Sequence, residues 1–348
     1  MNTPENSYMY QPPQPYYPQP DPEVIRFQNE KRQMKSTMNT IGTMILIATV
    51  VFFVFSMILS IVYYALVGTK TLQSSLDSIP LDILSGLANV AAIGICGLVF
   101  IKVGKNKVSD VLIFEKVSLK KLLAVVAIGF TVSMISNMMT NLYLTSTYNM
   151  GLDLNIDIDT PLCNSALEII VYFLSTAIVP AFSEEILFRG AILGTLRKYG
   201  DTFAIFVSSL LFALFHANFV QIPFAFVVGL VLAWSVVYTG SMLPAILIHA
   251  ANNGFSVLSD IIYSNIDSIN MSETMADALS IIFVAFMAII CLIAVVKLSK
   301  KDKNFLKPAQ YDGILDRKTR VNNLVTSPTI IAGTVLLLIE SFINHSTV

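Results

Sequence analysis

Long apolar runs, separated by short polar connections, dominate the chain. Runs long enough or nearly long enough to cross a membrane lie at about 41–67, 82–103, 121–145, 164–182, 202–218, 221–239, 243–262 and 275–298. A hydrocarbon core of about 30 Å takes roughly 20 mostly apolar residues in a helix. No water is present there to satisfy backbone groups, so runs of this kind fold as helices. The pattern predicts an all-α integral membrane protein of about eight transmembrane helices. A ninth run, about 328–344, is shorter and carries Glu340, and whether it crosses is left open.

Basic residues set the expected orientation, because Lys and Arg collect in cytoplasmic connections. With the amino terminus inside, those connections hold Arg26 to Lys35, Lys102 to Lys121, Arg197 and Lys198, and Lys297 to Arg320. Lys70 alone falls outside, while Asp153, Asp157, Asp159 and Asp267 lie on that opposite side. Eight spans with both ends of the core cytoplasmic account for nearly every basic residue, and a bacterial plasma membrane is the expected location.

Composition agrees and excludes other classes. Apolar residues make up 55% of the chain and charged residues 13%, with a net charge of -1, so no basic surplus suggests nucleic acid. Mean hydropathy is +0.69, far from that of a soluble domain. Cys96, Cys163 and Cys291 are widely spaced and form no readable disulfide or metal framework. The polar start of the chain gives no sign of a cleavable signal peptide. Residues 1–38, rich in Pro, Gln and Tyr over Gln11–Pro20, are expected to form a disordered cytoplasmic leader. The remainder divides into 39–119 (two spans and a basic loop), 120–262 (a core), 263–298 (an eighth span) and 299–348 (a basic segment and a short apolar stretch).

Ionisable residues inside spans are rare and costly, and each is a functional hypothesis by default. The fourth run continues as Ser183-Glu184-Glu185-Ile186-Leu187-Phe188-Arg189. Helical spacing at i, i+4 sets Glu185 and Arg189 on one face, ready to pair. Glu184 points about 100° away and is left for chemistry. Pro180 removes a backbone hydrogen bond just upstream. The fifth run holds Phe212 and His216, and the seventh holds His249 and Asn253 at i, i+4. Two of the chain's three histidines thus fall inside apolar runs.

A glutamate and histidines around a polar cavity inside the bundle can activate water. Glu184 could be the general base and His216 could orient the water. His249 and Asn253 could donate to the oxyanion. Alternatively, Glu184, His216 and His249 could hold Zn²⁺ with an open fourth position. The residues leave both schemes open. Neither an H-E-x-x-H nor a G-x-S-x-G motif is present.

Three motifs in order carry a resemblance. Glu184, Glu185 and Arg189 give E-E-x-x-x-R, Phe212 and His216 give F-x-x-x-H, and His249 and Asn253 give H-x-x-x-N. Residues 120–262 thereby resemble the CAAX protease and bacteriocin-processing family, which includes the Ras-converting CAAX endopeptidase. The resemblance implies an intramembrane (metallo)endopeptidase with a cavity open to the cytosol. It implies Glu184 as the base and Glu185, Arg189 and Phe212 as supporting residues. It further implies His216 positioning water, with His249 and Asn253 at the oxyanion. Its substrate would be a peptide or lipidated peptide, its setting membrane lipid and its candidate cofactor Zn²⁺. Two other classes fit the composition: a non-catalytic bacteriocin-immunity or scaffold protein, and a transporter using the charges as a relay. No internal repeat supports the second of these.

Overall fold

A computed structural model describes residues 21–67, 83, 86–103, 108–151, 165–307 and 311–346. Among these residues the secondary structure is helical, and seven helices are long and apolar enough to cross a membrane. The count rises to eight if one bent pair makes a single span. The protein is an all-α integral membrane protein.

Helix α1 runs from Pro22 to Val67. Proline suits this first position because its missing N–H would be unpaired there anyway. The Asp21 carboxylate accepts the Glu23 N–H at 2.9 Å. The expected disordered leader to residue 38 is therefore too long. Met34 and Met38 are fully buried, and this burial extends the helix well ahead of its membrane stretch. The Pro/Gln/Tyr-rich stretch itself lies outside the described residues.

Helix α2 spans Gly86–Val103, α3 spans Leu119–Asn149 and α4 spans Ala166–Tyr199. A capping box starts α4: Ser165 and Glu168 exchange side-chain-to-backbone hydrogen bonds of 3.2 Å. The expected fourth span, 164–182, is thus the first half of a longer helix that carries the acidic motif. Helices α5 (Asp201–Phe215), α6 (Gln221–Thr239), α7 (Leu243–Ser264) and α8 (Glu273–Lys301) follow.

Helix α5 corrects the expected fifth span, 202–218. It has 15 residues, about 22 Å at 1.5 Å per residue, which is short of a full crossing. It stops because Ala217 turns to φ 46°. The Asn218 side chain then accepts the Val220 and Gln221 N–H groups at 2.9 and 3.3 Å, turning the chain into α6. Asn218, part of the apolar run that suggested a span, closes a turn.

The ninth apolar run is helical. Helix α9 (Arg317–Val325) and helix α10 (Pro328–Ser346) meet at a bend of 59°. Pro328 cannot extend α9 but fits the first turn of α10. Ser327 Oγ donates to Asn39 Oδ1 at 2.7 Å and Thr329 Oγ1 donates to the Asn39 carbonyl at 2.7 Å, so the elbow is tied to α1.

Packing places α4 at the centre, against α2, α5, α6 and α7, with α3 and α8 beyond and the α1–α10 pair on another side. Leu187, Phe188, Ala191, Ile192 and Leu193 of α4 are fully buried. Ile281, Ile282, Phe286, Ile289 and Leu292 of α8 are exposed. An apolar outer face is the surface a bilayer solvates, so the molecule needs no polar exterior at that level.

Candidate active site

Local backbone geometry prepares the acidic motif. Helix α4 contains two π-helical stretches, Leu174–Ile178 and Ile186–Leu193, on either side of the α-helical turn Val179–Glu185. Pro180 lies in that turn. A proline removes the N–H that would bond the carbonyl four residues earlier, here Thr176. The Asn253 side chain of α7 donates to that carbonyl at 3.3 Å. A proline effect legible in the sequence is thus repaired by a residue from a distant helix.

Glu185 and Arg189 pair as their spacing predicts, at 2.9 Å between Oε1 and Nη1, with both side chains fully buried. Arg189 Nη2 donates to the Gly229 carbonyl of α6 at 3.2 Å, and its guanidinium lies 4.2 Å over the Phe212 ring. A planar cation over an aromatic face gains further electrostatic attraction. The same Glu185 oxygen lies 2.9 Å from His249 Nδ1. A carboxylate only accepts, so the proton of this bond sits on Nδ1 and His249 turns Nε2 toward the reacting side. That Nε2 lies 4.0 Å from Glu184 Oε2.

Glu184 has a different environment from its neighbour. Its side chain is 14% exposed, against 0% for Glu185. It faces a cavity of about 170 Å³ lined by Thr49 and Phe52 of α1, Asn89 and Ile93 of α2, Phe215 and His216 at the end of α5, and Leu337 and Glu340 of α10. His216 Nδ1 lies 2.9 Å from the Phe212 carbonyl. A carbonyl only accepts, so Nδ1 carries the proton and Nε2 keeps its lone pair. Phe212 stands at the centre of the group, edge-on to His216 at 4.8 Å, to His249 at 5.8 Å and to Phe188 at 5.3 Å.

The fold therefore brings Glu184, Glu185, Arg189, Phe212, His216 and His249 together. Asn253 stands apart: it does not line the cavity, and its amide serves Thr176. His216 sits at the capping position of a helix end, not within a span as its run suggested. Among the described residues, no three His, Cys, Asp or Glu side chains are placed to share an ion.

Sequence reading missed several contributors. Asn89 touches Ser183 through its side chain and lines the cavity beside Glu184. Asn137 of α3 donates to Asn252 at 3.4 Å, and Asn252 donates to Asn253 at 3.3 Å. Glu340 was visible as a carboxylate in an apolar run, but nothing local said which cavity it would reach.

The site is a half-sheltered glutamate and two imidazoles beside a buried Glu–Arg pair within a helical membrane bundle. Residues 166–255 match the family model for type II CAAX prenyl endopeptidase Rce1-like proteins. Over 138 residues it is 32% identical to the membrane-embedded CAAX protease MroQ of Staphylococcus aureus (strain USA300). That match takes in 38% of this chain and 55% of the relative, so the chain spans about half the length of the curated protein it matches. No solved structure matches the chain.

Proposed function

We propose that the protein is an intramembrane endopeptidase in which Glu184 activates water. The observation that carries this reading is the division between adjacent glutamates. Glu185 is committed to Arg189 and His249, while Glu184 faces the cavity with His249 Nε2 4.0 Å away. That separation is too long for a hydrogen bond and close to what one water bridges.

In the proposed reaction the water stands between Glu184 and His249. It donates one hydrogen toward each, leaving its lone pairs free for the scissile carbonyl. Glu184 takes the proton as the oxygen attacks, then passes it to the departing amine. His216, with its Nε2 lone pair free, accepts an N–H of the leaving amine. Glu185 and Arg189 hold His249 in place. The oxyanion role expected of Asn253 is not what its contacts favour, since its amide serves the α4 backbone. No step runs through a metal. Peptides with CAAX-type prenylated ends, or other membrane-associated peptides, are the proposed substrates.

The test is cleavage of a fluorogenic peptide library, with and without a farnesylated cysteine, by purified protein and by Glu184→Ala. Cleavage by the wild type alone supports the reading, and lipid dependence then identifies the substrate class. Repeating the assay after chelation and with added Zn²⁺ reports on metal. Equal cleavage by both proteins would remove Glu184 from its role. Cleavage by neither would favour the immunity or scaffold reading.

A further inference from the structure

We propose that Glu340 of α10 is a specificity-determining residue that selects a cationic group on the substrate next to the scissile bond. The proposal rests on the endopeptidase reading and adds to it a residue far outside the family-matched segment.

Glu340 lines the same cavity of about 170 Å³ as Glu184 and His216. A space of that size holds only a few heavy atoms or waters, so a group bound there meets both carboxylates. Neither has a Lys or Arg partner among the described residues. Arg189, a buried cation on the same helix as Glu184, is used by Glu185 and the Gly229 carbonyl. Among the described residues no Lys or Arg lines this cavity, whose remaining members are apolar or neutral. A partly sheltered carboxylate without a partner is costly, and a cation entering the cavity would relieve that cost. A lysine, arginine or terminal amine of the substrate supplies that partner, while an acidic residue there meets repulsion.

The fold has taken trouble to put Glu340 there. Its helix is tied at the elbow through Asn39, Ser327 and Thr329. Gly42 of α1 lies so close to the start of α10 that an added Cβ would run into the Thr329 and Ile330 backbone. Leu337, one turn before Glu340, is buried beside the same cavity. The carboxylate is therefore delivered by a packed helix, not by a loose tail.

The experiment compares peptides identical except for lysine, norleucine or glutamate at each position around the bond, using wild type, Glu340→Gln and Glu340→Lys. The expected result is a wild-type preference in kcat/KM for lysine over norleucine at one position. That preference should fall about tenfold in Glu340→Gln, the size of one desolvated charge pair, and turn toward glutamate in Glu340→Lys. A uniform loss across all peptides, or an unchanged ratio, overturns the proposal. A second arm measures binding of the same labelled peptides to Glu184→Ala and to Glu184→Ala/Glu340→Gln by fluorescence anisotropy. Glu340-dependent lysine preference in binding without any wild-type cleavage would sink the protease reading and leave only cation selection by Glu340 standing. Cleavage and binding that both ignore Glu340 would do the reverse.

Discussion

His249 Nδ1 and Glu185 Oε1 lie 2.9 Å apart across 64 residues of chain. One carboxylate oxygen thus serves both the imidazole and Arg189, which it also meets at 2.9 Å. This joins α4 to α7 through a fully buried ion network and turns the other imidazole nitrogen toward Glu184. The distribution of roles between two adjacent glutamates follows from it.

Glu184→Gln and Glu185→Gln should therefore differ in kind. Glu184→Gln is expected to lower kcat by about 10²–10⁴, the range of a lost general base, with little change in melting temperature. Glu185→Gln should instead lower the melting temperature, because Arg189 loses the carboxylate it pairs with. Thermal denaturation in detergent beside peptide cleavage reads both. Two variants with the same profile would contradict the division.

Removing Arg189 leaves Glu185 as a buried charge with His249 alone. Arg189→Ala is expected to cost about 3–5 kcal/mol. Arg189→Lys should recover only part, since one ammonium cannot hold Glu185, reach the Gly229 carbonyl and lie flat on Phe212 at once. An unchanged melting temperature for the alanine variant would show that the pair is solvated.

Asn253 and Pro180 should be coupled. Asn253→Ala strips the Thr176 carbonyl of its side-chain donor, an expected loss of about 1–3 kcal/mol for a buried unpaired group. Pro180→Ala restores the backbone N–H and should rescue Asn253→Ala. The double variant is then more stable than the sum of the single changes, measured by a double-mutant cycle. If stability is untouched in Asn253→Ala while cleavage collapses, the residue acts on the oxyanion after all.

Gly229→Ala tests how closely α6 approaches the site. The new Cβ would stand 3.0 Å from Ser209 Cβ and 3.3 Å from Phe212 Cδ1. Overpacking of this kind costs about 1–3 kcal/mol. It also displaces the carbonyl that holds Arg189, so a lower melting temperature should come with lower activity. Wild-type behaviour would mean that α6 can slide away freely.

Parts of this protein were legible in the sequence because they are local. Apolar runs report helices, since a lipid-exposed backbone must bond to itself. The i, i+4 spacing of Glu185 and Arg189 predicted their pair, and Pro180 announced a break in the backbone ladder. The expected fifth span failed for an equally local reason: hydropathy does not register a left-handed Ala217 or the turn made by Asn218.

The ordered motifs in the sequence also pointed to the family. Tertiary structure decided what one helix does for another. It gave Glu185 to His249, set Asn253 against Thr176, carried Asn89 to the side of Glu184 and brought Glu340 from the far end of the chain into the same cavity. Periodicity fixes which face of a helix is polar. Which faces meet depends on how all the helices pack at once, and no short stretch of sequence encodes that.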